Sequence, residues 1–211
     1  LFEGTDTTGT AFRTATNDTD GTYLFTAIEY DLDDVGTKTY TVRERNNGLG
    51  GVAYATNTYT VTVTIADAGN GTLTVTPSSN YNTLNFTNTY TATGDVTLSG
   101  TKTLTGRSLA AGEFTFELYA GSSATGTPID TATNLANGTY AFDKIIYDLD
   151  DVGPKTYTVV EKAGSLGGVT YATNSYTVTV TITDAGNGTL TVTPSSNYNA
   201  LNFTNTYAAT G

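Results

Sequence analysis

The run TYTVTVTIADAGNGTLTVT, residues 58–76, decides the fold. Tyr59, Val61, Val63 and Ile65 alternate with Thr58, Thr60, Thr62 and Thr64, the period-two pattern of a strand with one apolar and one polar face. Ala68-Gly69-Asn70-Gly71 breaks the alternation, and Leu73 to Thr76 resumes it. Two β-branched runs separated by a Gly/Asn-rich turn predict a β-hairpin. The run recurs as SYTVTVTITDAGNGTLTVT at residues 175–193.

This recurrence belongs to a long internal repeat. Residues 1–94 align without a gap on residues 118–211 at an offset of 117, with 68 identities in the 94 positions. A period of that size is a whole domain and not a solenoid turn. The repeat starting near Asp95 opens with DVTLSGTKTLTGRSLAAGEFTFE, residues 95–117, which has no counterpart ahead of Leu1. Two domains are therefore expected: 1–94, lacking its first strands, and 95–211, complete. Residues 88–94 (NTYTATG) lead into the second repeat, and their near-copy NTYAATG closes the sequence, so a longer tandem array is expected. With no recognisable signal peptide and a start that reads as mid-strand, the chain reads as a fragment of a longer or processed one.

Outside the hairpins, Thr, Tyr, Val and Ile again alternate. Turns are predicted at NDTDGT, DLDDVG, GSLGG and ATNLANGT. No segment holds a 3.6-residue apolar period. The expected class is all-β, as tandem β-sandwich domains.

Composition removes most kinds of chemistry. The 211 residues include 49 Thr, 15 Tyr and 8 Phe, but no Cys, Met, Trp or His. A Ser-His-Asp triad, a thiolate nucleophile and a zinc–thiolate site are all impossible. The net charge of −11 argues against binding a nucleic-acid backbone, and no apolar run is long enough for a membrane helix. No cofactor or metal is expected, and a conventional enzyme is the poorest reading. DLDDVG could suggest calcium, but it lacks EF-hand spacing and reads better as an acidic turn. The sequons at Asn17, Asn70, Asn85, Asn137, Asn187 and Asn202 are expected by chance in so Asn/Thr-rich a chain.

Parity singles out three polar residues. In YTVVE, Tyr157 and Val159 point inward, and so must Glu161. In LNFTNTY, Leu201, Phe203 and Tyr207 place Asn205 inward. In DVTLSGTKTL, Val96, Leu98 and Leu104 do the same for Lys102. The first repeat holds Glu44 and Asn88 at the matching positions, while the matching Lys falls in the segment without counterpart. Isolated buried charge is costly, so these groups must meet or change protonation. One outcome is a buried Lys–Glu pair with an Asn hydrogen bond. The other is chemistry: a neutral Lys amine attacks the Asn carboxamide with the Glu moving protons, and an isopeptide bond replaces ammonia.

SGTKTLTGRSLAAGEFTFELY, YTVVEK, GVTYATNSYTVTVTIT with GTLTVT, and FTNTY, in that order, resemble the streptococcal-type pilin isopeptide-linkage repeat. Gram-positive backbone pilins and stalked surface adhesins carry such domains. The resemblance spans the second repeat and all of the first except its missing start. It implies an immunoglobulin-like sandwich of the reversed or collagen-adhesin B type. It also implies an isopeptide bond between Lys102 and Asn205, with Glu161 as catalytic proton shuttle. Glu44 and Asn88 would take those roles in the first repeat, with a Lys from outside the given chain or from another chain. The bond would tie first to last strand, carry pulling force covalently and, by analogy with disulfide loop closure, stabilise by about 4–5 kcal/mol. No LPxTG-like sorting signal or pilin-linking lysine motif is recognisable.

The expected function is a structural segment of an extracellular, cell-wall-attached fibre, either pilus shaft or adhesin stalk. Its partners would be further copies of the repeat in the same or neighbouring chains. The alternatives are an adhesive module for a host protein or glycan, and a filament subunit completed by strand exchange.

Overall fold

The structure is a computed structural model that describes residues 1–210. It contains two compact units: unit 1 is Leu1–Thr89, and unit 2 begins at Tyr90. Both are built from strands, with only a three-residue 3-10 turn apiece, Leu32–Asp34 and Leu149–Asp151.

In chain order the first strands are β1 (Phe2–Glu3), β2 (Gly36–Arg43), β3 (Val52–Ala53), β4 (Thr58–Asp67), β5 (Leu73–Pro77) and β6 (Thr89–Tyr90). The next are β7 (Gly94–Val96), β8 (Ser99–Thr105), β9 (Thr115–Ala120), β10 (Asp130–Thr133), β11 (Thr139–Ala141) and β12 (Ile145–Tyr147). The last are β13 (Gly153–Glu161), β14 (Val169–Thr170), β15 (Ser175–Asp184), β16 (Leu190–Pro194) and β17 (Phe203–Tyr207).

Unit 2 is an immunoglobulin-like sandwich. One sheet runs β10-β9-β13-β15-β16, wholly antiparallel, and the other runs β11-β8-β17-β14. In the second sheet β8 and β17, from opposite ends of the unit, lie side by side and parallel, with Phe203 opposite Lys102. The alternation read from the sequence supplies the core: Leu98, Phe116, Leu118, Val159, Val178, Val180, Ile182, Leu201 and Phe203 are all fully buried. Phe116 stacks on Tyr140 at 3.7 Å between ring centroids and on Phe203 at 5.4 Å. Gly100 makes the close approach possible. A Cβ there would stand 2.0 Å from the Leu201 carbonyl oxygen, so any side chain would push β8 off its neighbour.

Of these sheets unit 1 keeps β1-β2-β4-β5, and the two-stranded β3-β6 stands where β14 pairs with the end of β17 in unit 2. The register of β2 on β4 and of β4 on β5 reproduces that of β13 on β15 and of β15 on β16. The sequence reading expects here a sandwich repeat lacking its first strands, and the structure shows what depends on those strands. In unit 2, β8 is the strand on which both β11 and β17 pair. The stretch matching β8 would precede Leu1, outside the given sequence, and in unit 1 residues 22–24, which match β11, and 86–88, which match the start of β17, are irregular. Tyr23 is only half-buried where Tyr140 is buried, and Phe86 is only half-buried where Phe203 is fully buried.

The turns before β2 and β13 are built alike. The Asp31 carboxylate accepts the Asp33 N–H, and the Asp34 carboxylate accepts the Asp31 N–H, a capping box that Asp148 and Asp151 repeat. Asp34 and Asp151 also pair with Lys38 and Lys155. Two of the three carboxylates of each DLDDVG run are thus engaged in capping the turn. Among the described residues no group of three or more acidic side chains converges to hold a metal ion.

Candidate functional site

Three elements of unit 2 deliver three polar side chains to one point in its core. Lys102 comes from β8 and Asn205 from the adjacent β17, both facing inward, and Glu161 reaches across from the end of β13 in the opposite sheet. All three are buried, at 3%, 0% and 7% exposure in that order. Lys102 Nζ lies 2.6 Å from Glu161 Oε2, and Asn205 Nδ2 donates to Glu161 Oε1 at 2.5 Å. One carboxylate therefore touches both prospective reactants, one through each oxygen.

Two further groups complete the site. The Ala172 N–H donates to Asn205 Oδ1 at 2.7 Å, which fixes the carboxamide orientation and places a donor where negative charge would grow on that oxygen. The ring of Phe114 lies under Lys102 Nζ, 4.5 Å from its centroid. Burial pushes the Lys102 amine below its usual pKa, against the opposing pull of Glu161. Phe114 is itself held in place. Its N–H donates to Asn134 Oδ1, and the Asn134 side-chain nitrogen donates to the carbonyls of Ala110 and Leu135.

The parity of the strands identifies Lys102, Glu161 and Asn205 but not these supports. Ala172 acts through its backbone and leaves no side-chain signature. Asn134 is 1% exposed, yet it stands just past β10, where no alternation assigns it to a face.

In unit 1 the matching residues meet in a different setting. Asn88 Nδ2 donates to Glu44 Oε1 at 2.6 Å, and the Ala55 N–H donates to Asn88 Oδ1 at 2.7 Å. The same N–H reaches Glu44 Oε2 at 3.1 Å, the oxygen that in unit 2 faces Lys102. Asn88 is exposed and Glu44 half-buried. Asn17, which matches Asn134, is exposed as well. The Glu–Asn half of the site thus assembles without the Lys-bearing strand, but nothing seals it from water.

The model of the FctA family, described as Spy0128-like isopeptide containing domain, matches residues 3–91 and again residues 98–208. No curated protein matches the chain.

Proposed function

Since the chain belongs to the family of Spy0128-like isopeptide-containing domains, we propose that it is a load-bearing segment of an extracellular surface fibre whose complete domain is closed by a Lys102–Asn205 isopeptide bond. The observation that carries this reading is the buried chain Lys102–Glu161–Asn205 linking the first strand of a sheet to its last.

The chemistry follows from the contacts. The Lys102 ammonium passes a proton to Glu161 Oε2, 2.6 Å away, in a site where burial already disfavours the cation. The neutral Nζ attacks Asn205 Cγ, and the charge developing on Oδ1 meets the Ala172 N–H. Attack ends the amide resonance and frees a lone pair on Nδ2, and the Glu161 carboxyl, already beside it, reorients to give Nδ2 its proton and takes one from the attacking nitrogen. The Cγ–Nδ2 bond breaks, ammonia leaves, and an Nζ–Cγ amide remains. Glu161 ends as it stood before attack, but the bond forms once per molecule, so the domain acts on itself and turns nothing over. The proposed boundaries of the repeats are 1–94 and 95–211.

Intact-mass measurement tests the reading. The chain should weigh one ammonia less than its sequence, and digestion should yield a branched peptide joining Lys102 to Asn205. Glu161→Ala should restore the full mass while unit 2 still folds. A full-mass wild type, or a normal bond in Glu161→Ala, would refute the proposal.

A second reading is supported by the exposure of Asn88. A Lys-bearing strand from a neighbouring chain, docking beside residues 86–90, would meet a Glu44–Asn88 pair already oriented to accept it. Mass analysis separates the two readings, because this one predicts a covalent link between chains at Asn88.

A further inference from the structure

Asn134 satisfies its whole side chain inside unit 2. Oδ1 accepts the Phe114 N–H at 2.9 Å, and Nδ2 donates to the carbonyls of Ala110 at 2.7 Å and Leu135 at 3.1 Å. Its own carbonyl accepts the Gly112 N–H at 2.7 Å. One residue past β10 therefore grips the segment 110–114 that leads into β9. A carboxamide is the group this place requires, since a carboxylate would set an oxygen against two carbonyl oxygens. The turn that follows does not need it for closure. That turn is closed by the Leu135 N–H on the Thr139 carbonyl and the Gly138 N–H on the Leu135 carbonyl.

The gripped end of β9 touches three parts of the site. The buried Phe114 ring lies under Lys102 Nζ. Its edge-to-face partner, 5.8 Å away between centroids, is Tyr171, the residue before the Ala172 N–H that holds Asn205 Oδ1. The Thr115 carbonyl accepts the N–H of Lys162, the residue after Glu161, at 2.8 Å, and Phe116 stands opposite Glu161 on β13. The amine, the oxygen that takes up charge and the carboxylate are thus all referred to one short stretch of chain. Asn134 fixes where that stretch begins, and a fully satisfied buried polar network of this kind is rigid.

We propose that Asn134 is a positioning residue for isopeptide formation, acting through Phe114 to keep water from the Lys102 amine and to hold the Tyr171–Ala172 turn against Asn205. The proposal rests on the Lys102–Asn205 reading of the site. Asn134 touches neither reactant, so its loss acts by displacement, and a shift of about 1 Å in a reacting group can cost about a hundredfold in rate. The charged group facing the amine is Glu161, from β13. The nearby phenols are engaged elsewhere. Tyr140 on β11 donates to the Leu201 carbonyl, Tyr176 on β15 donates to the Asn202 carbonyl, and Tyr171 accepts the Leu166 N–H. The titration of Lys102 in a bond-free chain therefore reports the hydration of the amine and its pairing with Glu161.

Intact mass of the full chain, followed from purification onward, gives the first readout. Wild type should arrive one ammonia short. Asn134→Ala should arrive largely at full mass and convert on standing, slowed by about tenfold to a hundredfold. Phe114→Leu should behave alike, and the double variant should be no slower than the slower single one, because one residue acts through the other. Asn134→Ser, a milder truncation, carries the same test if the alanine variant does not fold. The second readout is the Lys102 titration, by NMR of labelled lysine in the bond-free Asn205→Ala chain. There the amine should titrate below 10.5, and adding Asn134→Ala or Asn134→Ser should return it toward 10.5. Asp148→Ala, which removes the cap before β13, should move neither readout. Complete conversion of the Asn134 variants at purification, a Lys102 titration they leave unmoved, slowing that multiplies in the double variant, or an equal response to Asp148→Ala would each overturn the proposal and leave the isopeptide reading intact. Wild type at full mass would overturn both.

Discussion

Units 1 and 2 share most of their sequence and only half of their structure. Where the repeats both hold strands of the first sheet, the register, the capped turn and the hairpin are the same. Where unit 2 uses β8 as the common partner of β11 and β17, unit 1 has irregular chain and half-exposed aromatics. The same Glu–Asn hydrogen bond is fully buried in one unit and open to solvent in the other. The difference teaches that the site's geometry is local to β13, β17 and the Ala172 turn, whereas its desolvation comes from the strand that carries the lysine. The proposed nucleophile and the wall that desolvates it arrive together on one segment.

The strongest way to break the contrast is to supply that segment. Placing a copy of residues 95–117 before Leu1 should build the second sheet in unit 1, bury Phe86 and Asn88, and remove a second ammonia from the intact mass. Full mass for the added domain would show that more than the missing strand separates the units. The reverse change is Asn205→Ala, which removes one partner of the proposed bond but keeps the Lys102–Glu161 pair. Loss of a closed loop of about a hundred residues should cost about 4–5 kcal/mol and lower the unfolding temperature of unit 2 by about 10–25 °C, while the unit 1 transition stays in place. Calorimetry of the full chain would resolve the two.

The bond-free Asn205→Ala chain also exposes the electrostatics. Burial holds Lys102 below its usual pKa in the folded state, so over the interval between that lowered value and 10.5 the unfolded chain binds a proton the folded one does not. Stability of unit 2 should therefore rise with pH across that interval, and fall as the pH drops through the folded pKa. Urea titrations from neutral to alkaline pH would show the slope, and adding Lys102→Met should flatten it. The smallest effect is the one in which the units should agree. Asp31→Ala and Asp148→Ala remove the same cap and should each cost about 1 kcal/mol. A clear inequality would mean that the shared sheet is not equally firm in both.

The parity of residues 58–76 made the shared sheet readable, and the same rule on shorter strands placed Lys102, Glu161 and Asn205 on inner faces. What it left unread was of two kinds. The supports Ala172 and Asn134 act through a backbone N–H and from a turn, where alternation has no meaning. The irregular backbone at residues 22–24 and 86–88 was hidden because these stretches differ from 139–141 and 203–205 only in Leu24 against Ala141. Whether they form strands depends on a partner elsewhere in the chain, which no local pattern encodes.

The side-by-side arrangement of β8 and β17 has a further consequence for a surface exposed to proteases. With the proposed bond in place, residues 102–205 form a closed covalent ring. The exposed loops 121–127 and 162–168 both lie inside it. A single cut after Lys162 would leave every residue of unit 2 attached, since each new end still leads back to the Lys102–Asn205 amide. The matching exposed residue in unit 1 is Arg45. A domain without such a bond would be held together after a cut there by noncovalent contacts alone.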